Sequence, residues 1–280
     1  MIDLRFQRWQ GLRFVEFGEP TPDAPSTILI HGLGGSIEQW TLVADFRPAD
    51  SHVLIPDIPG FGDSVDVIEG FDIDLAARHL VALIRRKGIT RCTLVTHSIS
   101  SILAGSIVRH LENECQSIHL VSGALIRASE IAHQPLLAMK YPRVGSATLV
   151  AFAAAAIPFP VHLASTLVRT GLRRQLALGC FVANPKSLDP ELLGQVLTHA
   201  GSPTTLTVLR TARAIDFRDL LKGIHCPVHL AYGDSDPLIT EYDIAMLSEM
   251  VDLQEPRVFE ACGHWPWIES PRRLAETLWA

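Results

Sequence analysis

The chain is short of charge, of aromatic residues and of long apolar runs. Of its 280 residues, 19% are Asp, Glu, Lys or Arg and 7% are aromatic. Its basic groups, "IRRKG" and "GLRRQ", are short, and the formal net charge is −6. A phosphate-rich partner needs a basic stripe, so no nucleic-acid partner is expected. No C-x-x-C pair occurs among the five cysteines, Cys92, Cys115, Cys180, Cys226 and Cys262. With the odd count, that reads as reduced, buried thiols in a cytoplasmic protein and not as a disulfide or zinc framework. Cys262 lies two residues before His264 and is read as a small packed residue rather than half of a Cys–His pair. The start, "MIDLRFQRWQ", lacks the apolar centre of a signal peptide. The longest apolar run, Ala147 to Ile157, would span about 16 Å as a helix, roughly half a bilayer core. No stable membrane insertion is expected, although this segment could touch lipid.

What the chain does hold is 48% hydrophobic residues, enough for a sizeable core. "LRFQRW" and "LRFVEFG" alternate around Gln10-Gly11 and predict an antiparallel hairpin. "STILIHG", "HVLIPD", "RCTLVTH", "SIHLVSG" and "PVHLAYGD", with "PRVFEA" more weakly, read as strands buried on both faces. Helical patterns separate several of them. "DLAARHLVALIRRKG" repeats at Leu75, Leu80, Leu83 and Ile84 and stops at Gly88, and "ISSILAGSIVRHL" begins a helix at Ile99. This alternation predicts an α/β fold, a mostly parallel central sheet of about eight strands covered by helices. From about Ala124 to Asp216 strand patterns give way to helical ones interrupted by prolines. The expected organisation is a core over residues 1–124 and 217–280, with a helical cap, 125–216, inserted after the sixth strand.

A serine hydroxyl is a weak nucleophile. It needs a base, an acid to orient that base, and amide donors for the oxyanion that forms. Each can be sought separately. In "LVTHSISSILAG" the strand pattern ends at Thr96 and the helix begins at Ile99, which puts Ser98 at the apex of a sharp turn. Ser100 and Ser101 already lie in the helix. The usual G-x-S-x-G glycines are replaced here by Thr96 and Ser100, where strand and helix backbones pass closely. "LIHGLGGS" supplies a lean loop whose Leu33 amide, with that of Ile99, would form an oxyanion hole. His31 in that loop reads as a structural hydrogen-bonder. Asp234 and Asp236 in "AYGDSDPLIT" are candidate acids, and His264 in "EACGHWPWIESP" is the candidate base. The order Ser, Asp, His matches one known arrangement of such a triad.

These segments together resemble the α/β-hydrolase fold superfamily, in its capped, esterase-like form with a Ser-His-Asp triad. The resemblance runs through "HGLGGSIEQW", "PDIPGFGDS", "THSIS", "GDSDPLI" and "GHWPWIESP", in that order, and covers nearly the whole core. It implies Ser98 as nucleophile, His264 as base and Asp236, ahead of Asp234, as acid. Some members carry the acid after the sixth strand, where this chain reads "VSGAL" without a carboxylate. Asp57 and Asp63 take structural roles. Relatives that dehalogenate or open epoxides carry Asp at the nucleophile position, and Ser98 argues against both.

The implied activity is a metal-free, cofactor-free serine hydrolase cleaving a carboxylic ester, lactone or thioester of a small apolar acyl or aromatic substrate. The apolar cap, Leu125 to Asp216, would contribute to the pocket. Arg127, Arg169, Arg173 and Arg174 read as surface charges. Two rivals use the same fold: a C–C bond hydrolase or acyltransferase with the same triad, and a non-catalytic ligand-binding protein. The oligomeric state is not legible.

Overall fold

The computed structural model describes residues 4–32, 34–64, 67, 71–156, 166, 168, 169–198, 203–214 and 216–280. Eight strands form one sheet: β1 Gln7–Trp9, β2 Leu12–Phe17, β3 Ser26–Ile30, β4 Val53–Pro56, β5 Cys92–His97, β6 Cys115–Val121, β7 Val228–Gly233 and β8 Arg257–Phe259. Their spatial order is β1-β2-β4-β3-β5-β6-β7-β8. β1 and β2 form the expected hairpin and β2 runs antiparallel to β4, while every later pairing is parallel. All residues of β3, β4 and β5 are buried, as continuous apolar strands covered on both faces must be. Strand order reverses around β3, which has β4 on one side and β5 on the other. Crevices for ligands open at such a switch point, beyond the carboxyl ends of the strands.

Helices α1 Thr41–Ala44, α2 Ile73–Arg86 and α3 Ser101–Leu111 occupy the first half of the chain. α2 starts where the Asp72 carboxylate accepts the Leu75 N–H at 2.7 Å. It stops before Gly88, whose φ of +72° suits a residue without a Cβ. Its buried stripe runs through Ile73, Ala76, Ala77, Leu80, Leu83 and Ile84. Leu75, expected on that stripe, is instead exposed, because the helix begins at Ile73 and the small alanines turn inward. α3 is the central buried helix. The main-chain carbonyl of Leu220 lies so close to Gly105 that a Cβ there would sit 1.6 Å from its oxygen.

Among the described residues between β6 and β7 lie the helices α4 Ile126–His133, α5 Leu137–Lys140, α6 Pro142–Ala156, α7 Gly171–Leu178, α8 Pro190–Thr198, α9 Pro203–Ala214 and α10 Phe217–Leu221. α10 packs on α3. The last helices are α11 Glu241–Met250, α12 Pro266–Glu269 and α13 Pro271–Leu278. Among the described residues no helix is long and apolar enough to cross a membrane. Cys92, Cys115, Cys226 and Cys262 are buried thiols, whereas Cys180 is exposed. Arg174 also departs from expectation. It is buried, and its guanidinium donates to the carbonyls of Val168, Pro185 and Lys186 at 2.7 to 2.9 Å, filling the inner side of α7.

Two buried histidines make the fold acid-sensitive. His97 and His119 each have a pKa lowered to about 3 from 6.5, chiefly by burial and next by a neighbouring imidazole, His264 and His229 respectively. Between pH 6.5 and 3 the unfolded chain therefore binds protons that the folded chain refuses. Stability falls as pH falls through that window. The urea midpoint should drop between neutral pH and about pH 4.5, and His119→Leu should remove about 2 kcal/mol of that loss. An equal acid loss in wild type and variant would refute the assignment.

Candidate active site

The loops that follow β5, β7 and β8 bring Ser98, Asp236 and His264 together at the carboxyl end of the sheet. There Ser98 sits on a 3-10 turn, Ser98–Ser100, between β5 and α3. Its φ is +54°, a left-handed conformation uncommon for a residue with a Cβ. Such a turn lifts one side chain above the sheet edge. The α-helix proper begins at Ser101, two residues later than the apolar pattern implied. A tight 3-10 turn absorbs the difference.

The two residues that replace glycine are accommodated by hydrogen bonding. The Ser100 hydroxyl accepts the His97 N–H at 3.0 Å and donates back to the His97 carbonyl at 2.8 Å. The Thr96 hydroxyl, fully buried, lies 3.1 Å from the Ser101 hydroxyl. Room for Ser101 comes from Gly123 after β6, where a Cβ would fall 2.1 Å from the Ser101 Oγ. The steric demand that usually falls on the turn's own glycines is thus passed to a neighbouring strand end. Ser100 and Ser101 are both engaged inside the fold, which leaves Ser98 facing outward.

Ser98 Oγ is 2.8 Å from His264 Nε2, and His264 Nδ1 is 2.9 Å from Asp236 Oδ2 and 3.0 Å from Oδ1. Both His264 and Asp236 are buried. The residues lie 166 and 28 positions apart in sequence and are joined by the sheet. Burial raises the Asp236 pKa, but attraction and hydrogen bonding from His264 and the Leu238 N–H outweigh it, so the carboxyl sits below its ordinary value. A hydroxyl so placed can pass its proton to the imidazole, whose positive charge the carboxylate then faces.

Asp234, the rival acid, has a different position. Its carboxylate accepts the N–H groups of Ala261 and Cys262 at 3.0 and 3.3 Å. It orders the loop that carries His264 and does not touch the imidazole. Cys262 is buried, and burial pushes its thiol well above the ordinary range, so it is no thiolate nucleophile.

Of the expected oxyanion donors, Ile99 follows Ser98 within the 3-10 turn, while Leu33 lies outside the described residues. His31 has two main-chain partners. Its Nε2 accepts the Ile58 N–H at 2.9 Å, and its Nδ1 lies 2.9 Å from the Gly32 carbonyl, as a neutral imidazole protonated on Nδ1 requires. Burial lowers its pKa. Asp57 is equally structural, accepting from Arg13 Nε at 2.7 Å, Ile37 N–H at 2.9 Å and Asp63 N–H at 3.0 Å. Arg13 also meets Glu38 and the Asp63 carboxylate. This cluster ties β2 to the segments that follow β3 and β4.

Three supporting residues had no separate signal in the sequence. The buried His97, next to Ser98, has its Nε2 3.0 Å from the His264 carbonyl oxygen. It stands against Gly32, where a Cβ would come within 2.4 Å of its ring nitrogen. Glu269 accepts the N–H groups of Gly263 at 3.0 Å and Trp265 at 3.3 Å, and that of Ala183 at 2.8 Å. Phe181 accepts the His264 N–H through its carbonyl at 2.6 Å, and Gly263 leaves room for it, since a Cβ there would lie 2.1 Å from that oxygen. The helical segment between β6 and β7 is therefore hydrogen-bonded directly to the His264 loop. Glu269 stands five residues beyond His264, but its amide partners become visible only in three dimensions.

An apolar cavity opens beside the turn. It is lined by Ile58, Phe61, Phe71, Ile99, Ser100, Ile102, Leu103 and Val208. Val208 comes from α9, so both the core and the helical segment contribute to its wall.

The chain resembles known proteins along nearly its whole length. It is 24% identical over 258 residues to a pimeloyl-[acyl-carrier protein] methyl ester esterase of Aeromonas salmonicida (strain A449), covering 90% of this chain and 93% of that protein. Among solved structures, an N-acyl homoserine lactonase with bound N-butanoyl homoserine superposes with a TM-score of 0.70 at 16% identity, covering 99% of this chain and 95% of the other. The thioesterase domain from the curacin biosynthetic pathway gives a TM-score of 0.67 at 21% identity, covering 99% of both chains. Residues 27–277 match the model of the alpha/beta hydrolase family, and the chain belongs to that family.

Proposed function

We propose that this protein is a serine hydrolase that cleaves a carboxylic ester, lactone or thioester of an apolar small molecule through an acyl-enzyme. The observation that carries this reading is the continuous relay from Ser98 through His264 to Asp236, with contacts of 2.8 and 2.9 Å. In it Ser98 attacks the acyl carbon and His264 takes the proton, later returning it to the leaving group. Asp236 holds the imidazole tautomer and stabilises its charge. The Ile99 amide, with that of Leu33, receives the oxyanion. Residues 125–216 act as a cap over a core of 1–124 and 217–280. An acyl group on Ser98 would meet the apolar side chains beside the turn, Phe61, Phe71, Ile102 and Val208, which favour a hydrocarbon and must part to admit one. The reading is supported by relatives named for ester, lactone and thioester chemistry.

The test is labelling with a fluorophosphonate, followed by peptide mapping and a p-nitrophenyl ester series of increasing acyl length. Label is expected on Ser98 alone, with turnover of the esters. No label, or label on another serine, would sink the proposal. A protein that stays unlabelled yet gains melting temperature with a small apolar ligand would be a binding protein instead.

A further inference from the structure

Charge is strongly segregated along this chain. No Asp or Glu occurs from Ile131 to Leu188, while Lys140, Arg143, Arg169, Arg173, Arg174 and Lys186 do. This segment therefore carries +6, against −6 for the whole chain, and the remaining residues carry −12. The same segment is unusually apolar on its outside. Of the ten large apolar side chains exposed among the described residues, six fall within it: Leu136, Met139, Leu149, Val150, Leu172 and Leu176. Four of them are at least 67% exposed.

The exposed residues follow helical faces. On α7, Leu172 and Leu176 stand one turn apart with Arg173 beside them, while Arg174 and Leu178 turn inward. On α6, Arg143, Ser146, Leu149, Val150 and Ala153 face outward, while Val144, Ala147 and Thr148 are buried. Scattered exposed leucines need no explanation, but aliphatic side chains interleaved with cations on consecutive helices form a recognisable pattern. It is that of a surface lying in a lipid headgroup layer, with Leu and Met reaching the acyl boundary and Lys and Arg meeting lipid phosphates.

We infer that the outward faces of α5, α6 and α7, with Leu136, form a peripheral docking surface for an anionic lipid bilayer. A second copy of the chain is disfavoured as the occupant, because a symmetric contact through this face would bring the five exposed cations Lys140, Arg143, Arg169, Arg173 and Lys186 of each copy against those of the other. A protein partner is disfavoured because the exposed large apolar side chains here are all aliphatic, whereas interface cores favour aromatic anchors. The −12 borne by the rest of the chain orients the molecule, drawing this segment towards a negative surface and turning the remainder away. Docking in this way would let an apolar substrate pass from lipid to the cavity that α9 helps to line.

Flotation with vesicles tests the inference. The protein should bind vesicles of equal parts phosphatidylcholine and phosphatidylglycerol, bind pure phosphatidylcholine far less, and be released by high salt. The pair Leu172→Asp and Leu176→Asp should weaken binding by about tenfold or more, as should the pair Leu136→Asp and Met139→Asp. Melting temperatures matching wild type establish that each variant is folded. Ser98→Ala should bind vesicles like wild type, so loss of the serine reading and loss of the docking surface are separately visible. Absence of binding to the anionic vesicles would overturn the inference. So would undiminished binding by both folded double variants, or a dimer in sedimentation velocity that these variants dissolve.

Discussion

Ser98→Ala is expected to lower ester turnover by on the order of 10³-fold or more, with the fold intact. The alanine leaves β5, the 3-10 turn and the His97–Ser100 hydrogen bonds in place, because none of these uses the Ser98 hydroxyl. What it removes is the oxygen 2.8 Å from His264 Nε2. Residual rate would come from binding and the amide donors alone. Ser100→Ala and Ser101→Ala provide the contrast. Their hydroxyls are committed to His97 and Thr96, so these variants should act on stability rather than on chemistry. The measurement is kcat/KM for a short p-nitrophenyl ester together with a melting temperature. Near-wild-type turnover by Ser98→Ala would end the acyl-enzyme reading.

Asp236→Asn should cost about as much, on the order of 10³-fold, while Asp234→Asn should cost less than about tenfold. The two carboxylates are separated by one residue, yet their partners differ. Asp236 faces the imidazole Nδ1, and an amide there favours the wrong tautomer and cannot offset the positive charge that forms. Asp234 accepts the Ala261 N–H at Oδ2 and the Cys262 N–H at Oδ1, so an asparagine keeps one of these bonds and loses the other, which loosens the loop without removing any partner of the imidazole. The loss in Asp236→Asn should fall in kcat rather than KM, because the carboxylate acts on the imidazolium of the transition state. Equal losses in the two variants would mean that Asp236 serves the loop rather than the imidazole.

The broad fold was legible in the sequence because strands buried on both faces are written as continuous apolar runs. "STILIHG" and "RCTLVTH" need no context to be read so, and β3 and β5 are buried throughout. The hairpin, the order of strands and helices, and the helical stretch after β6 followed from the same periodicity. Leu75 and Arg174 did not. Which side of a helix faces inward depends on where it starts and what it packs against, and periodicity alone leaves both open.

The sequence also determined which residues were candidates for chemistry: a serine at a strand-to-helix turn, carboxylates after a later strand, and a histidine near the C-terminus. Tertiary structure decided among them. The resemblance put Asp236 ahead of Asp234, and the physical reason is the path of the loop after β7, which turns Asp236 towards His264 and Asp234 towards the Ala261 and Cys262 amides. In a turn that prefers glycine, Ser100 is small enough to fit and the bulkier Thr96 is the weaker fit. Ser100 is held by the His97 main chain inside the motif, whereas Thr96 relies on Ser101, for which Gly123 after β6 makes room. Glu269 and Phe181, which hold the His264 loop, carry no signature because their function lies in bonds to main-chain groups. Local sequence specifies local conformation and the kind of side chain available, whereas the distance between two side chains 166 residues apart is set by how every strand between them packs.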